Sequence, residues 1–373
     1  MITPPSIAVF AYAFAHRKTQ DFLVELVAAG HTNICVIAAP WQQLGHADNG
    51  VYFPTSLRNA KALDTAGLCR VLHMAYHEMR HDDVDAIGAL RDKYGFTLGV
   101  ISGARILKRA VIDLFSCGVM NIHPGKLPET AGLDLFYYTI RKQVTMGVTV
   151  HMIDHRVDAG RELLFEETPL GAEDTPEAVQ YNNYQSQIRA LRRFLALLSK
   201  GPLSSNVIDR PQKNEPMTPE QKHAVMLEFP TWRAAQFRAQ QGRLLLRACE
   251  TGKAEVVVSV LNQLPDLLEY ANPQGWNPLI IAAFNQHRDI VRIMLDRGAN
   301  PNATGRNGTS VLMYAKTALL NQPDARFDLL EMLINAGASV TRYDAHGKTI
   351  LHYVEQAGDS RLASWLRKQE RAQ

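Results

Sequence analysis

The segment Asn121-Ile122-His123-Pro124-Gly125-Lys126-Leu127-Pro128 holds the residue types in this chain best suited to chemistry. A carboxamide such as that of Asn121 can donate an N–H to an oxygen on which charge develops, a contact that contributes about 3–4 kcal/mol when aimed at a transition state. The imidazole of His123 exchanges a proton near neutral pH and can act as donor or base. Thirty-five residues further on, Asp158-Ala159-Gly160 offers a carboxylate that could hold an imidazole in one orientation or organise a proton-carrying water. Each group also has a plain structural reading: Asn121 closing a turn, Asp158 starting a hairpin turn, His123 simply hydrogen-bonded at a strand end. His73, His77 and His81 recur every four residues and on a helix would share a face. No carboxylate completes an H-E-x-x-H set around them, and no metal is expected.

Such groups need elements to position them. The first half of the chain alternates strand-like and helix-like stretches. Strands are predicted at 7–14, 33–39, 97–102, 119–123, 148–153 and 162–166, and helices at 19–29, 82–94, 107–115, 133–142 and 175–200. In the first helix Phe22, Leu23, Leu26 and Val27 fall on one face. Residues 40–59, rich in Pro, Gly and Asn, read as a long loop. This alternation is the mark of an α/β layer fold with a mostly parallel sheet. It sets the Asn-x-His segment at the C-terminal end of a strand, where open α/β sheets bind their ligands.

Residues 201–240 break the alternation with Pro202, Pro211, Pro216 and Pro219 and read as an irregular connection. Within it, Thr218-Pro219-Glu220-Gln221 has the order of a helix start, and a short helix ending before Pro230 is expected. The remainder repeats. Gly275-Trp276-Asn277-Pro278-Leu279, Gly308-Thr309-Ser310-Val311-Leu312 and Gly347-Lys348-Thr349-Ile350-Leu351 begin 33 and 39 residues apart, with the excess in 319–326. Gly298-Ala299-Asn300 and Gly337-Ala338-Ser339 fall between them, and 246–261 aligns as an earlier copy with a one-residue offset. The pattern resembles ankyrin repeats, helix pairs that bury their faces only by stacking. The chain thus divides into 1–200, 201–240 and an all-α module of about four repeats at 241–373.

Taken in order, the Asn-x-His strand end, the stretch Gly147-Val148-Thr149-Val150-His151 and Asp158-Ala159-Gly160 resemble the family that transfers a formyl group from 10-formyltetrahydrofolate to an amine. The resemblance covers roughly residues 7–200 and implies a Rossmann-like formyltransferase core. It implies Asn121, His123 and Asp158 as the catalytic trio. It places the folate donor against the loop Ser102, Gly103, Ala104, Arg105, Ile106 and Leu107, which otherwise reads as a plain strand-to-helix turn. It needs no metal. Two departures bear on the acceptor. Gly125-Lys126-Leu127-Pro128 stands where the family usually has Ser-Leu-Leu-Pro, and Ala131-Gly132 replaces an Arg-Gly pair. The first strand lacks the family's Gly-rich phosphate loop. A substrate phosphate could be met by His16, Arg17 and Lys18, which equally suit a solvated helix start, and Pro124, Gly125 and Lys126 complete the candidate acceptor site.

With ankyrin repeats where the methionyl-tRNA enzymes carry a basic barrel, the acceptor expected is a small-molecule amine, most plausibly an amino sugar linked to a nucleotide. An amino acid, amine or peptide acceptor is the alternative, and a non-catalytic ankyrin-based binding protein the third reading. Some nucleotide-sugar members of the family resemble this layout. A second ligand or a protein at the repeats and a homodimer through edge strands or 201–240 are compatible with the resemblance. The bulk numbers add exclusions. The chain has 373 residues, 46% hydrophobic and 21% charged, with a net charge of +3 and no basic run, so a nucleic acid is not the expected partner. The apolar run 7–15 is too short for a membrane span and its basic residues follow rather than precede it. Cys35, Cys69, Cys117 and Cys249 are scattered, as in a reducing compartment, and a cytoplasmic location is expected.

Overall fold

The structure, a computed structural model, describes residues 6–41, 63–104, 106–156, 158–201, 204–208, 213–322 and 324–373. The chain divides into two compact units, Met1–Phe237 and Arg238–Gln373. In the first unit one eight-stranded sheet is formed by β1 (Ile7–Tyr12), β2 (Ile34–Ala39), β3 (Ala75–Glu78), β4 (Leu98–Ile101), β5 (Val119–His123), β6 (Gly147–Ile153), β7 (Gly160–Glu167) and β8 (Asn206–Ile208). The strand order is β3-β2-β1-β4-β5-β6-β7-β8. Strands β1 to β5 run parallel, and β6, β7 and β8 are added antiparallel. The order reverses between β1 and β4, the kind of switch point outside which α/β sheets bind ligands.

The central strands are apolar on both faces because helices cover both. Ile7, Val9 and Ala11 of β1 share a core with Phe22, Leu23 and Leu26 of α1 (Arg17–Ala28) and with Leu191 and Phe194 of α6 (Pro176–Leu198). The alternate residues Ala8 and Phe10 pack instead with Ile87 and Leu90 of α3 (Val84–Tyr94) and Val111 of α4 (Arg109–Ile112). A strand buried on both sides has no polar alternation, which is why β1 and β2 read as continuous apolar runs. Helix α2 (Thr65–Val71) precedes β3, and α5 (Leu135–Arg141) follows β5.

Several expectations differ from the structure. The helix expected at 107–115 contracts to the single turn of α4. Strand β3 occupies 75–78, so the three histidines share no helix face: His73 lies in a turn at φ 55°, His77 Nε2 meets the Tyr94 hydroxyl at 3.0 Å, and His81 Nε2 meets the Ile37 carbonyl at 3.0 Å. Residues 42–59 of the expected loop, with Arg105, Pro202 and Pro211, lie outside the described residues. The stretch 201–240 is not wholly irregular, since it contains β8 and the first part of α7 (Pro219–Thr251). Helix α7 starts as its sequence suggests, with Thr218 and Gln221 exchanging side-chain and backbone hydrogen bonds. It does not stop before Pro230 but runs 33 residues through it. A proline inside a helix costs roughly 3 kcal/mol. Here Phe229 and Trp232 are buried with Phe136, Tyr137 and Met146, and two such side chains recover about 1.5–3 kcal/mol each. Pro230 itself is exposed, on the face of α7 away from these anchors.

In the second unit, helix pairs recur: α8 (Ala254–Gln263), α9 (Pro278–Phe284) with α10 (Arg288–Asp296), α11 (Val311–Ala315) with α12 (Asp328–Asn335), and α13 (Ile350–Gln356) with α14 (Ser360–Ala372). The repeated sequence signals have repeated jobs. Asn277, Ser310 and Thr349 each cap a helix by accepting from the backbone N–H three residues on. Gly275, Gly308 and Gly347 all take positive φ, at 80°, 70° and 67°, where a side chain would be strained.

Candidate active site

Strand β5, the neighbour of β4, carries Asn121 and His123 two residues apart and so on the same face. His123 is almost fully buried. Its Nδ1 lies 3.4 Å from Asp158 Oδ1, and its Nε2 lies 3.1 Å from the carbonyl oxygen of Thr130. Both neighbours are acceptors, so both contacts can be hydrogen bonds only when both ring nitrogens carry hydrogens. Asp158 sits in the β6–β7 turn at φ 53° and is fixed from its other side by the Gly132 N–H, which donates to Oδ2 at 2.8 Å. Burial works against its charge, but His123, the Gly132 N–H and His151 outweigh it and hold the carboxyl below the usual carboxylate range. Asp158 is therefore an anion beside the imidazole at neutral pH.

Asn121 reaches the other side of the site. Its Nδ2 lies 3.1 Å from Nε2 of His151, its register partner on β6. His151 Nδ1 in turn lies 3.1 Å from the Ala159 carbonyl, next to Asp158. The structure thus brings Asn121, His123 and Asp158 to one place, with His151 joining the strand to the turn.

The segment after His123 is pinned to β6. Thr149 Oγ1 donates to the Gly125 carbonyl at 2.8 Å and accepts from the Leu127 N–H at 3.1 Å. Gly125 explains one departure from the family pattern. A Cβ there would come within 2.2 Å of Thr130 Oγ1 and 3.2 Å of His123 Nε2, so a side chain would push into the bond that holds the imidazole. The Gly132 turn is braced by the chain beyond β8: the Asn214 N–H donates to Ala131, and the Asp134 carboxylate takes the Met217 N–H at 2.8 Å and Lys222 Nζ at 2.7 Å.

The remaining sequence-derived candidates separate into groups. Ser102 is buried and donates its hydroxyl to the Phe10 carbonyl at 3.0 Å, with Thr19 Oγ1 at 3.1 Å and His16 Nδ1 beyond it at 2.9 Å from Thr19. Gly103 lies so close to Tyr12 that a Cβ would meet its ring at 2.7 Å, and the Tyr12 hydroxyl donates to the Ala104 carbonyl. The β4 loop and the β1–α1 turn are therefore one structure. Of its apolar residues Leu107 is buried, whereas Ile106 is 71% exposed. Arg17 pairs with Asp21 at 2.9 Å along α1, and Lys126 with Glu129 at 3.1 Å. Lys18 behaves differently. It is half-buried, its Nζ lies 3.4 Å from the Ile122 carbonyl between Asn121 and His123, and burial pushes its pKa down to about 8. The solvated helix start accordingly describes Arg17 and not Lys18. Pro124 is half-buried beside His123. Among the described residues no group of His, Cys, Asp or Glu is arranged to hold a metal ion.

Sequence reasoning passed over Thr130, Gly132, Thr149 and His151 as working parts of this site. For two of them a signal was available: Thr149 and His151 are polar residues two apart in an otherwise apolar strand, which puts both on one face. Thr130 and Gly132 act through a backbone carbonyl and a backbone N–H, which leave no mark on residue type.

Comparison with known proteins finds matches to two families in the chain. Residues 70–193 match the formyl transferase family, and residues 235–305 match ankyrin repeats (3 copies). The chain is similar to a phosphoribosylglycinamide formyltransferase of Haemophilus influenzae, 29% identical over 121 residues, which cover 32% of this chain and 57% of that protein. It is 30% identical over 162 residues to a methionyl-tRNA formyltransferase of Jannaschia sp., covering 42% of this chain and 51% of the relative. A third match, to a probable E3 ubiquitin-protein ligase XBOS33 of Oryza sativa subsp. japonica, is 32% identical over 119 residues and covers 31% of this chain and 22% of the relative. The chain spans little more than half the length of the two formyltransferases and less of the third. No helix among the described residues is long and apolar enough to cross a membrane.

Proposed function

From a chain that carries a formyl transferase domain followed by ankyrin repeats, we propose an enzyme that moves a formyl group from 10-formyltetrahydrofolate to the amino group of a nucleotide-linked amino sugar. The observation that carries the reading is the contact of His123 with Asp158 at 3.4 Å, two residues along β5 from an Asn121 whose amide is already oriented. In such a reaction the uncharged amine attacks the formyl carbon and a C–N bond forms. The bond from that carbon to N10 of the folate then breaks. The proton lost by the amine ends on the departing nitrogen. Asn121 supplies an N–H to the oxygen on which charge builds, the contribution expected of an oxyanion donor. His123 takes the amine proton and passes it on, and the Asp158 carboxylate stabilises the imidazolium that forms in between.

The donor fits the β4 end in one respect: Ile106 presents an uncovered apolar side chain beside a loop held rigid by Tyr12, against which a flat ring can lie. Lys18 favours an acceptor that bears phosphate, since its ammonium approaches β5 from the first turn of α1 and meets no carboxylate among the described contacts. The ankyrin repeats supply a separate recognition surface for a protein partner.

The test is direct. Purified full-length protein is incubated with 10-formyltetrahydrofolate and a panel of nucleotide-linked amino sugars, and products are read by mass spectrometry. Gain of one formyl group on a member of the panel is expected. Formylation of free amino acids or simple amines but of no nucleotide-linked sugar would overturn the acceptor class. No transfer to any amine would overturn the reading as a whole.

A further inference from the structure

Asn121 and His151 are register partners on β5 and β6, and β6 has a register shift against β7 between Val150 and His151. Such irregularities re-aim side chains next to functional sites. Here the His151 ring bridges Asn121 and the turn that carries Asp158. Its Nδ1 is 3.1 Å from the Ala159 carbonyl oxygen, and its Nε2 is 3.1 Å from Asn121 Nδ2. A carbonyl only accepts, so Nδ1 must carry the ring hydrogen. A neutral imidazole then has a lone pair on Nε2, and Asn121 has to turn its N–H toward it. The reverse orientation would need hydrogens on both ring nitrogens. That form is costly: His151 is completely buried, and burial first, then the neighbouring His123, push its pKa down to about 4.

A carboxamide has two faces that sterics barely distinguish, one donating and one accepting. Only the donating face serves a developing oxyanion. The lone pair of His151 selects that orientation, because a flipped Asn121 would set oxygen against lone pair. The same ring is fastened to Ala159, so the amide and the turn bearing Asp158 are held in fixed relation.

We propose that His151, as the neutral Nδ1–H tautomer, is a positioning residue for formyl transfer that fixes the rotation of the Asn121 amide and ties it to the Asp158 turn. The assignment rests on the transfer reading given above, but its geometric part does not. It makes His151 a partner that acts through Asn121 and never touches the reacting atoms.

The experiment uses the full chain and four variants, His151→Phe, His151→Gln, Asn121→Ala and the double variant His151→Phe/Asn121→Ala. The assay is the one described above, with the acceptor that the panel identifies. His151→Phe should lower kcat about tenfold to a hundredfold, as loss of an orienting partner does elsewhere, with little change in KM. His151→Gln, which keeps an acceptor and a donor, should recover most of that loss. In the Asn121→Ala background His151→Phe should cost much less than it does in the wild-type background, the remainder being the loosened Asp158 turn. An equal cost in both backgrounds overturns the proposal, because His151 would then act without Asn121. A variant that fails to fold leaves His151→Gln and a second readout to decide. That readout is the tautomer of His151 in wild-type protein, obtained from 15N shifts of histidine-labelled protein at pH 7. A protonated Nδ1 with a bare Nε2 is expected, and a hydrogen on Nε2 overturns the proposal. A wild-type protein that transfers no formyl group defeats the functional reading while the tautomer remains measurable, so the two failures are told apart.

Discussion

His123 and Asp158 meet at 3.4 Å although they stand 35 residues apart in the chain, with α5 and β6 between them. The carboxylate is held from behind by the Gly132 N–H, so it cannot turn away without giving up a bond at 2.8 Å. Replacing Asp158 by Asn keeps the shape and removes the charge that supports a protonated His123. Turnover should fall by at least about a hundredfold with the circular dichroism spectrum unchanged. His123→Ala should fall at least as far. Turnover of Asp158→Asn within a few-fold of wild type would mean that the carboxylate only shapes the turn.

Gly125 packs against the atoms that hold His123 in place. Its missing Cβ would stand 2.2 Å from Thr130 Oγ1, so Gly125→Ala forces that hydroxyl, or the backbone behind it, to move. Overpacking of this kind costs about 1–3 kcal/mol. Urea unfolding should show that loss, and removing the hydroxyl with Thr130→Ala should return part of it in the double variant. Additive losses in the double variant would rule out a clash between these two residues.

How much of this could be read from the sequence depends on what each residue contributes. Strand β5 was legible because Val119, Met120 and Ile122 bracket the polar pair, and the ankyrin glycines because their positive φ demands that residue type. Strand β3 was not, since Ala75-Tyr76-His77-Glu78 is a short edge strand with no fully buried side chain and no alternation to betray it. Pro230 misled because a helix-breaking residue signals nothing about the face it occupies, and the anchors Phe229 and Trp232 decided the outcome. The trio could be listed from its motif. Its supports could not, because Thr130 and Gly132 contribute backbone atoms whose position exists only after the sheet has formed.

Acid should weaken the fold before the carboxylates titrate. The folded-state pKa of His151 lies near 4, below its ordinary value of 6.5, which is the case of a buried neutral imidazole. As pH falls below about 6.5 the unfolded chain takes up a proton that the folded chain refuses until near 4. The unfolded state binds more protons throughout that window, so stability declines as pH drops across it, by up to about 3 kcal/mol. Burial lowers the pKa of His31 as well, which acts in the same sense. Urea midpoints measured from pH 7 to pH 4.5 should fall, and His151→Gln should remove much of the slope. A midpoint independent of pH over that range would contradict the buried neutral ring.

Lys18 should govern the affinity for a phosphate-bearing acceptor. Its Nζ lies 3.4 Å from the Ile122 carbonyl and its pKa near 8, so it is charged at neutral pH and loses that charge just above it. Lys18→Met should raise the acceptor KM about tenfold, the worth of one charge-assisted hydrogen bond, with kcat nearly preserved. In wild-type protein the acceptor KM should rise as pH passes through 8, and in the variant it should not. A KM unaffected by Lys18→Met would place the phosphate elsewhere.

Pro230 offers a test of how α7 holds its course. The residue has no N–H to give the carbonyl one turn before it, yet the helix passes through because Phe229 and Trp232 are anchored, the latter also by its indole N–H to the Val144 carbonyl at 3.3 Å. Pro230 is exposed, so Pro230→Ala leaves no cavity and restores a backbone donor in the middle of a helix. The variant should be more stable than wild type by about 1–3 kcal/mol, read as a higher urea midpoint at unchanged slope. Trp232→Ala should do the opposite, losing about 3–5 kcal/mol with the anchor. If Pro230→Ala were neutral while Trp232→Ala destabilised, the backbone at that turn would already be satisfied without the missing donor. If both were neutral, packing against α5 would not be what carries the helix past its proline.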